Sequence, residues 1–115
     1  MGIVFFRTTM LDDIVKFYNE RIEMKVWLKQ KDCTILKHDN LLLGFCQREV
    51  AETEGLIAFV YSTKEDVDSM HRKLDRWVAS EPIENEQYEI YHFFAKDPEE
   101  RTLEFQVFLH PASPI

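Results

Sequence analysis

One order of secondary-structure signals occurs twice in this chain, and that repetition constrains its fold more than any other feature. Ile3 to Thr8 is a β-branched and aromatic run of strand length. Thr8 or Thr9 can cap a following helix, and Asp12 and Asp13 fall in its first turn, where the helix dipole favours anions. Leu11, Ile14, Val15, Phe17, Tyr18 and Ile22 then recur at helical spacing, one apolar face that ends near Arg21. Short β candidates come next. Met24, Val26 and Leu28 alternate with Lys25, Trp27 and Lys29, a half-buried pattern; Cys33 to Lys37 follows. Leu41 to Gln47 comes after the turn residues His38-Asp39-Asn40. The half reads β-α-β-β-β.

Gly55 opens the same order again. Leu56 to Tyr61 is of strand length, Ser62 and Thr63 offer a cap, and Lys64-Glu65-Asp66 makes an acidic first turn. Val67, Met70, Leu74, Trp77 and Val78 lie at helical spacing, and Ser80-Glu81-Pro82 ends the segment. Glu84 to Gln87 is polar and reads as a loop, which leaves the second strand of this half weak. Glu89 to Lys96 reads as a strand, Asp97-Pro98-Glu99-Glu100 as a turn and Leu103 to Leu109 as the closing strand, with an irregular tail from His110. Glu52 to Gly55 is the natural hinge. Neither half has the residues for an independent core, so modules 1–50 and 55–110 are expected to pack as a single α+β domain over 1–115.

Composition narrows the partners. Hydrophobic residues make up 45% and aromatic ones 13%, enough for a packed core and against global disorder. The 21 acidic against 14 basic side chains leave a formal charge of −7, a field that repels phosphate backbones and anionic bilayers, so neither nucleic acid nor membrane is an expected partner. No apolar run approaches the ~20 residues of a membrane span, and the N-terminus reaches Arg7 too soon for a secretory signal. Cys33 and Cys46 match no metal or redox spacing and are poor grounds for a disulfide framework, and neither has a basic neighbour to activate it. A cytoplasmic location is the default expectation.

Leu11-Asp12-Asp13-Ile14-Val15-Lys16-Phe17-Tyr18, the strand–helix unit Leu56 to Leu74, and Phe93-Phe94-Ala95-Lys96-Asp97-Pro98 with Leu103-Glu104-Phe105 together resemble the vicinal oxygen chelate superfamily. That superfamily includes glyoxalases, bleomycin-resistance proteins and extradiol dioxygenases. In its closing hairpin Asp-Gly-Asn stands where this chain has Glu99-Glu100-Arg101, so the usual turn glycine is missing. The resemblance implies paired βαβββ modules forming a cupped mixed sheet around one cavity, in a homodimer. In the family's enzymes a divalent metal sits there on His, Gln or Glu from the first and last strands of each module. Carried over position by position, those sites are Ile3, Gly44, Leu56 and Glu104, of which only Glu104 can ligate. A one-residue shift brings Gly2, Val4, Gly55 or Ile57, which are no better. A cation needs several donors to replace its hydration shell, so neither a metal nor any other cofactor is expected.

Period two, anchored on those positions, points Ile3, Phe5, Arg7, Leu56, Ala58 and Val60 into the cavity, together with His92, Phe94, Lys96, Glu104, Gln106 and Phe108. Val4, Phe6, Ile57, Phe59, Leu103, Phe105 and Val107 should pack under the helices. Phe5, Phe94 and Phe108 either offer stacking surface to a ligand or fill the hollow as core. Glu104 has three readings: a structural carboxylate paired with Arg7 or Lys96, an anchor for a cationic or hydrogen-bonding ligand, or a general base with His92 in reach. A displaced metal site on His92 and Glu104 lacks a third ligand. His71 and Asp75 read as a solvated helix pair, His38 as a surface turn residue, and Trp27 as a pocket rim or dimer contact. The leading expectation is a small-molecule binding protein holding an apolar or aromatic ligand through Phe5, Arg7, Phe94, Lys96, Gln106 and Phe108. A glyoxalase-like lyase or isomerase with Glu104 and His92 as catalytic residues, and a non-catalytic protein acting through its dimer surface, remain as alternatives, so whether the chain is an enzyme stays open.

Overall fold

A computed structural model describes residues 1–114. They form two compact units, Met1–Glu54 with Asp97–Glu100, and Gly55–Lys96 with the chain from Arg101 on. The first carries β1 (Ile3–Thr8), α1 (Leu11–Glu20), β2 (Lys25–Lys29), β3 (Cys33–His38) and β4 (Leu41–Gln47), with sheet order β1-β4-β3-β2. The second carries β5 (Leu56–Tyr61), α2 (Lys64–Leu74), β6 (Ile83–Asn85), β7 (Ile90–Lys96) and β8 (Thr102–Phe108), with order β5-β8-β7-β6. In each sheet the first strand runs parallel to the last, and the other pairs are antiparallel. Both halves are therefore βαβββ modules with mixed sheets.

Each helix covers one face of its own sheet. Ile14, Phe17 and Tyr18 of α1 are buried, with the Tyr18 and Phe45 ring centroids 4.9 Å apart. Val67, Met70 and Leu74 of α2 are buried too. On that side of its sheet Phe105 stacks between Phe59 and Phe93, at 5.2 and 5.1 Å. The α2 start uses Thr63, whose hydroxyl accepts from the Asp66 amide. The α1 start does not use a threonine in the expected way. Its boundary residue is Met10, whose amide donates to Thr8 Oγ1, and the Leu11 amide is taken by Gln47 Oε1 at 2.8 Å. A side chain from the end of β4 thus supplies the acceptor.

Several expectations need correcting, each for a reason of topology. Val4 is 51% exposed instead of lying under α1, because β1 is an outer strand and α1 packs on β3 and β4. Every residue of β2 is exposed, because it is the other outer strand and a register shift at Trp27 breaks its alternation. Glu84-Asn85, expected in a loop, belong to β6, since an outer strand needs no apolar face once its backbone pairs with β7. Trp77 and Val78 lie beyond α2. The helix ends at Leu74, Asp75 takes a left-handed φ of 48°, and Val78 is extended and bridges to Ala95. Cys33 and Cys46 face each other across β3 and β4, with Cα atoms 4.0 Å apart, and form a disulfide.

The turn without its glycine keeps the glycine conformation. Glu100 adopts a φ of 67°, which costs an L-residue about 1–2 kcal/mol. Glycine removes that strain but gives back about 0.5–1 kcal/mol through the freedom of the unfolded chain. Glu100→Gly is therefore expected to stabilise the protein by about 0.5–1 kcal/mol, read as a higher urea midpoint at unchanged m-value. A lower midpoint would show that the Glu100 side chain contributes more than its backbone strain removes.

Candidate functional site on the β7–β8 face

The β7–β8 hairpin presents two faces. Tyr91, Phe93, Ala95, Leu103, Phe105 and Val107 alternate with the residues that turn away from α2. Ladder register sets His92 against Gln106, Phe94 against Glu104, and Ile90 against Phe108 on this second face, and β5 places Ala58 beside Glu104. Glu104 retains 7% exposure, so its carboxylate needs partners. His92 Nδ1 lies 2.6 Å from Oε2, and Gln106 Nε2 donates to Oε1 at 2.9 Å. With the carboxylate as acceptor, Nδ1 carries the proton of this contact, an assignment made from the hydrogen bond. The His92 ring also meets Phe94 edge to face at 5.2 Å.

His92 and Gln106 hold Glu104, in place of the Lys96 pairing that the structural reading offered, and Lys96 Nζ donates to Thr102. Within the first module the Arg7 guanidinium lies 3.9 Å from Glu52. A pocket of about 400 Å³ adjoins Glu104, lined also by Tyr88, Ile90, Gln106, Phe108 and His110. Tyr88, Ile90 and His110 were not identified from the sequence as site residues. The Leu109 amide donates to the Glu89 carbonyl at 2.8 Å, carrying pairing one step past β8 and bringing His110 to the pocket. Its ring lies 5.4 Å from Phe108. The pairing of Ile90 with Phe108 was the missing signal, and only register reveals it.

In the first module Phe5 and Arg7 share the β1 face that pairs with Gly44 and Cys46. A Cβ on Gly44 would meet Phe5 Cε1 at 2.5 Å and Cδ1 closer still, so only glycine fits beneath that ring. The Arg7 amide donates to Glu52 Oε1. Other candidates behave differently from expectation. His71 faces Glu81, with Nε2 3.4 Å from its carboxylate, and packs edge to face on Phe93. It is not a solvated partner of Asp75. His38, expected in a surface turn, is instead the last residue of β3, paired with Leu41 and half-buried, and that burial holds its imidazole below its ordinary value against the opposing effect of Asp39.

On the opposite face Tyr91 donates its hydroxyl to Asp68 at 2.6 Å, under the Lys64 ammonium 5.2 Å from the ring centroid. That hydrogen bond, then burial, then the charges of Asp68 and Glu84 push the Tyr91 phenol up to about 12. A raised folded value favours the protonated native state. The stability it contributes is fully present below the ordinary value of 10.0 and is lost as pH rises towards about 12. Tyr91→Phe should remove that component of the alkaline loss in urea titrations across the window. An unchanged alkaline profile would contradict the assignment.

No family model matches the sequence, and no curated protein matches it. Solved structures do. A glyoxalase/bleomycin resistance protein/dioxygenase family enzyme from Burkholderia phytofirmans PsJN superimposes with a TM-score of 0.81 at 18% identity, covering 93% of this chain and 97% of its own. A lactoylglutathione lyase from Agrobacterium tumefaciens gives 0.74 at 16%, covering 93% and 92%. A glyoxalase-related enzyme from Fulvimarina pelagi gives 0.79 at 13%, covering 100% and 91%. This chain has the glyoxalase/bleomycin-resistance/dioxygenase fold.

The residues present do not fit the metal that this fold carries in its enzymes. Ile3, Gly44, Leu56 and Glu104 stand at the transferred positions, and the ladder neighbours, Phe5 and Ile35 for Gly44 and Ala58 and Phe94 for Glu104, donate nothing. Among the described residues no three of His, Cys, Asp and Glu come together as a metal-holding group. His92 and Glu104 alone leave a cation short of donors. Among the described residues, too, no helix is long and apolar enough to cross a membrane.

Proposed function

We propose that this protein binds a small apolar or aromatic molecule without a metal, through the face that carries Glu104. The observation that supports this reading is the fixed carboxylate: each oxygen accepts one hydrogen bond, from His92 or Gln106. A carboxylate has about four acceptor sites, so capacity remains for a donor on the ligand. Phe94 and Phe108 supply apolar contact, and Lys96 and Gln106 orient the polar end. Phe5 and Arg7 lie on the corresponding face of the first module. A homodimer is part of the same proposal.

A thermal-shift screen of apolar and aromatic molecules tests it. A ligand at 100 times its dissociation constant adds about 2.7 kcal/mol. Glu104→Gln keeps the shape but weakens a charge-assisted hydrogen bond of about 1.5–3 kcal/mol, so donor-bearing hits should bind at least tenfold more weakly. A silent library, or hits indifferent to Glu104→Gln, would contradict the proposal. Sedimentation velocity checks the dimer.

The 2.6 Å contact of His92 with Glu104 favours a second reading, in which Glu104 takes a proton from a bound substrate while His92 orients it, as in a lyase or isomerase. Glu104→Gln would then abolish turnover while leaving substrate affinity nearly intact. Simple binding makes the opposite expectation.

A further inference from the structure

We propose that Phe5 and Gly44 form a stacking platform for a planar aromatic ring, with Phe5 as the contact surface and Gly44 as its positioning residue. The two are direct neighbours across the parallel β1–β4 ladder. A Cβ at Gly44 would lie 2.5 Å from Phe5 Cε1 and 3.3 Å from Cγ, so the ring occupies the space that any other residue's side chain would claim. One side of the ring therefore rests on backbone. The residue nevertheless keeps 48% of its surface exposed, and β1 is an outer strand with α1 packed elsewhere on the sheet.

Glycine–aromatic neighbours also stabilise sheets in their own right, and that accounts for the buried side of the ring. The exposed side is the functional part. An aromatic face already held in place loses little freedom when a ligand settles on it, which is how preorganisation raises affinity. Its quadrupole favours offset-stacked flat partners over saturated ones of equal size. The second module reverses the sizes at the same step, with Ala58 beside Glu104. There the large residue is the polar anchor, whereas in the first module it is the flat surface. This inference rests on the proposed function only in expecting an apolar ligand at all.

The test is an NMR titration of the ¹⁵N-labelled full chain with 2-naphthol and with decahydro-2-naphthol, which matches it in size but has no π face. The expected result is shift changes at Phe5 and Gly44, with naphthol binding at least fivefold tighter. Phe5→Leu, which keeps apolar volume without a ring, should erase that preference. Gly44→Ala, which keeps the ring but displaces it, should do the same; should that variant fail to fold, Phe5→Leu decides alone. Equal affinities, no binding of either probe, or a preference that survives Phe5→Leu would overturn the platform. Changes confined to Glu104 and Gln106 and abolished by Glu104→Gln would overturn the platform while leaving the proposed function standing. Changes at Phe5 and Gly44 that ignore Glu104→Gln but vanish in Phe5→Leu would support the platform even where the β7–β8 reading fails.

Discussion

Removing the Cys33–Cys46 disulfide is expected to lower stability by about 2–4 kcal/mol. The two residues are separated by 13 positions and sit opposite one another in the β3–β4 ladder. The bond closes a loop of that size in the unfolded chain, restricting the ensemble from which folding starts. Cys33→Ala/Cys46→Ala isolates the effect better than serine, because both sites are buried and a hydroxyl there would lack water. Urea unfolding with and without dithiothreitol is the measurement. Reductant should destabilise the parent by the same amount as the double variant and leave the double variant unmoved. A parent indifferent to reductant, with two titratable thiols before treatment, would show that the pair is not joined in solution.

Asp97→Ala is expected to cost about 2–5 kcal/mol, since a buried donor and a part-buried one lose their acceptor. Asp97 is 1% exposed, and its carboxylate accepts from the Tyr18 hydroxyl at 2.7 Å and the Glu99 amide at 2.8 Å. The amide bond fixes the turn that sends Glu99 to the end of β1, where its carboxylate accepts from the Thr8 hydroxyl and from the amide and hydroxyl of Thr9. Tyr18→Phe removes one donor instead of stranding it and should cost about 1 kcal/mol. Asp97→Asn, which keeps an acceptor oxygen, should fall between them. Equal losses for Tyr18→Phe and Asp97→Ala would mean that the amide bond contributes nothing.

Local signals made the repeat readable: β1, β4 and β5 have the bounds their apolar runs suggest, and Thr63 caps α2 as expected. What stayed hidden depends on which strand lies beside which. The exposure of Val4 and Val26 follows from outer positions in a sheet. The disulfide, the ring of Phe5 above Gly44 and the entry of His110 beside Phe108 follow from register. Glu104 stood out as the one donor at the family's positions with His92 in its reach, and the two meet on the diagonal of the β7–β8 ladder, whereas the Gln106 contact two residues along the same strand had no linear mark. Turn signals were muted as well. The chain has only 3 glycines, and Glu23, Asp39, Asp75, Glu89 and Glu100 take left-handed conformations that glycine usually fills.

Calorimetric titration of zinc, nickel and manganese into chelator-stripped protein tests the donor argument most directly. With a ring over bare backbone in one module and a single His–Glu pair in the other, the expected result is no stoichiometric binding and no change in unfolding midpoint with added metal. One ion bound tightly per chain, and released by Glu104→Gln, would contradict it.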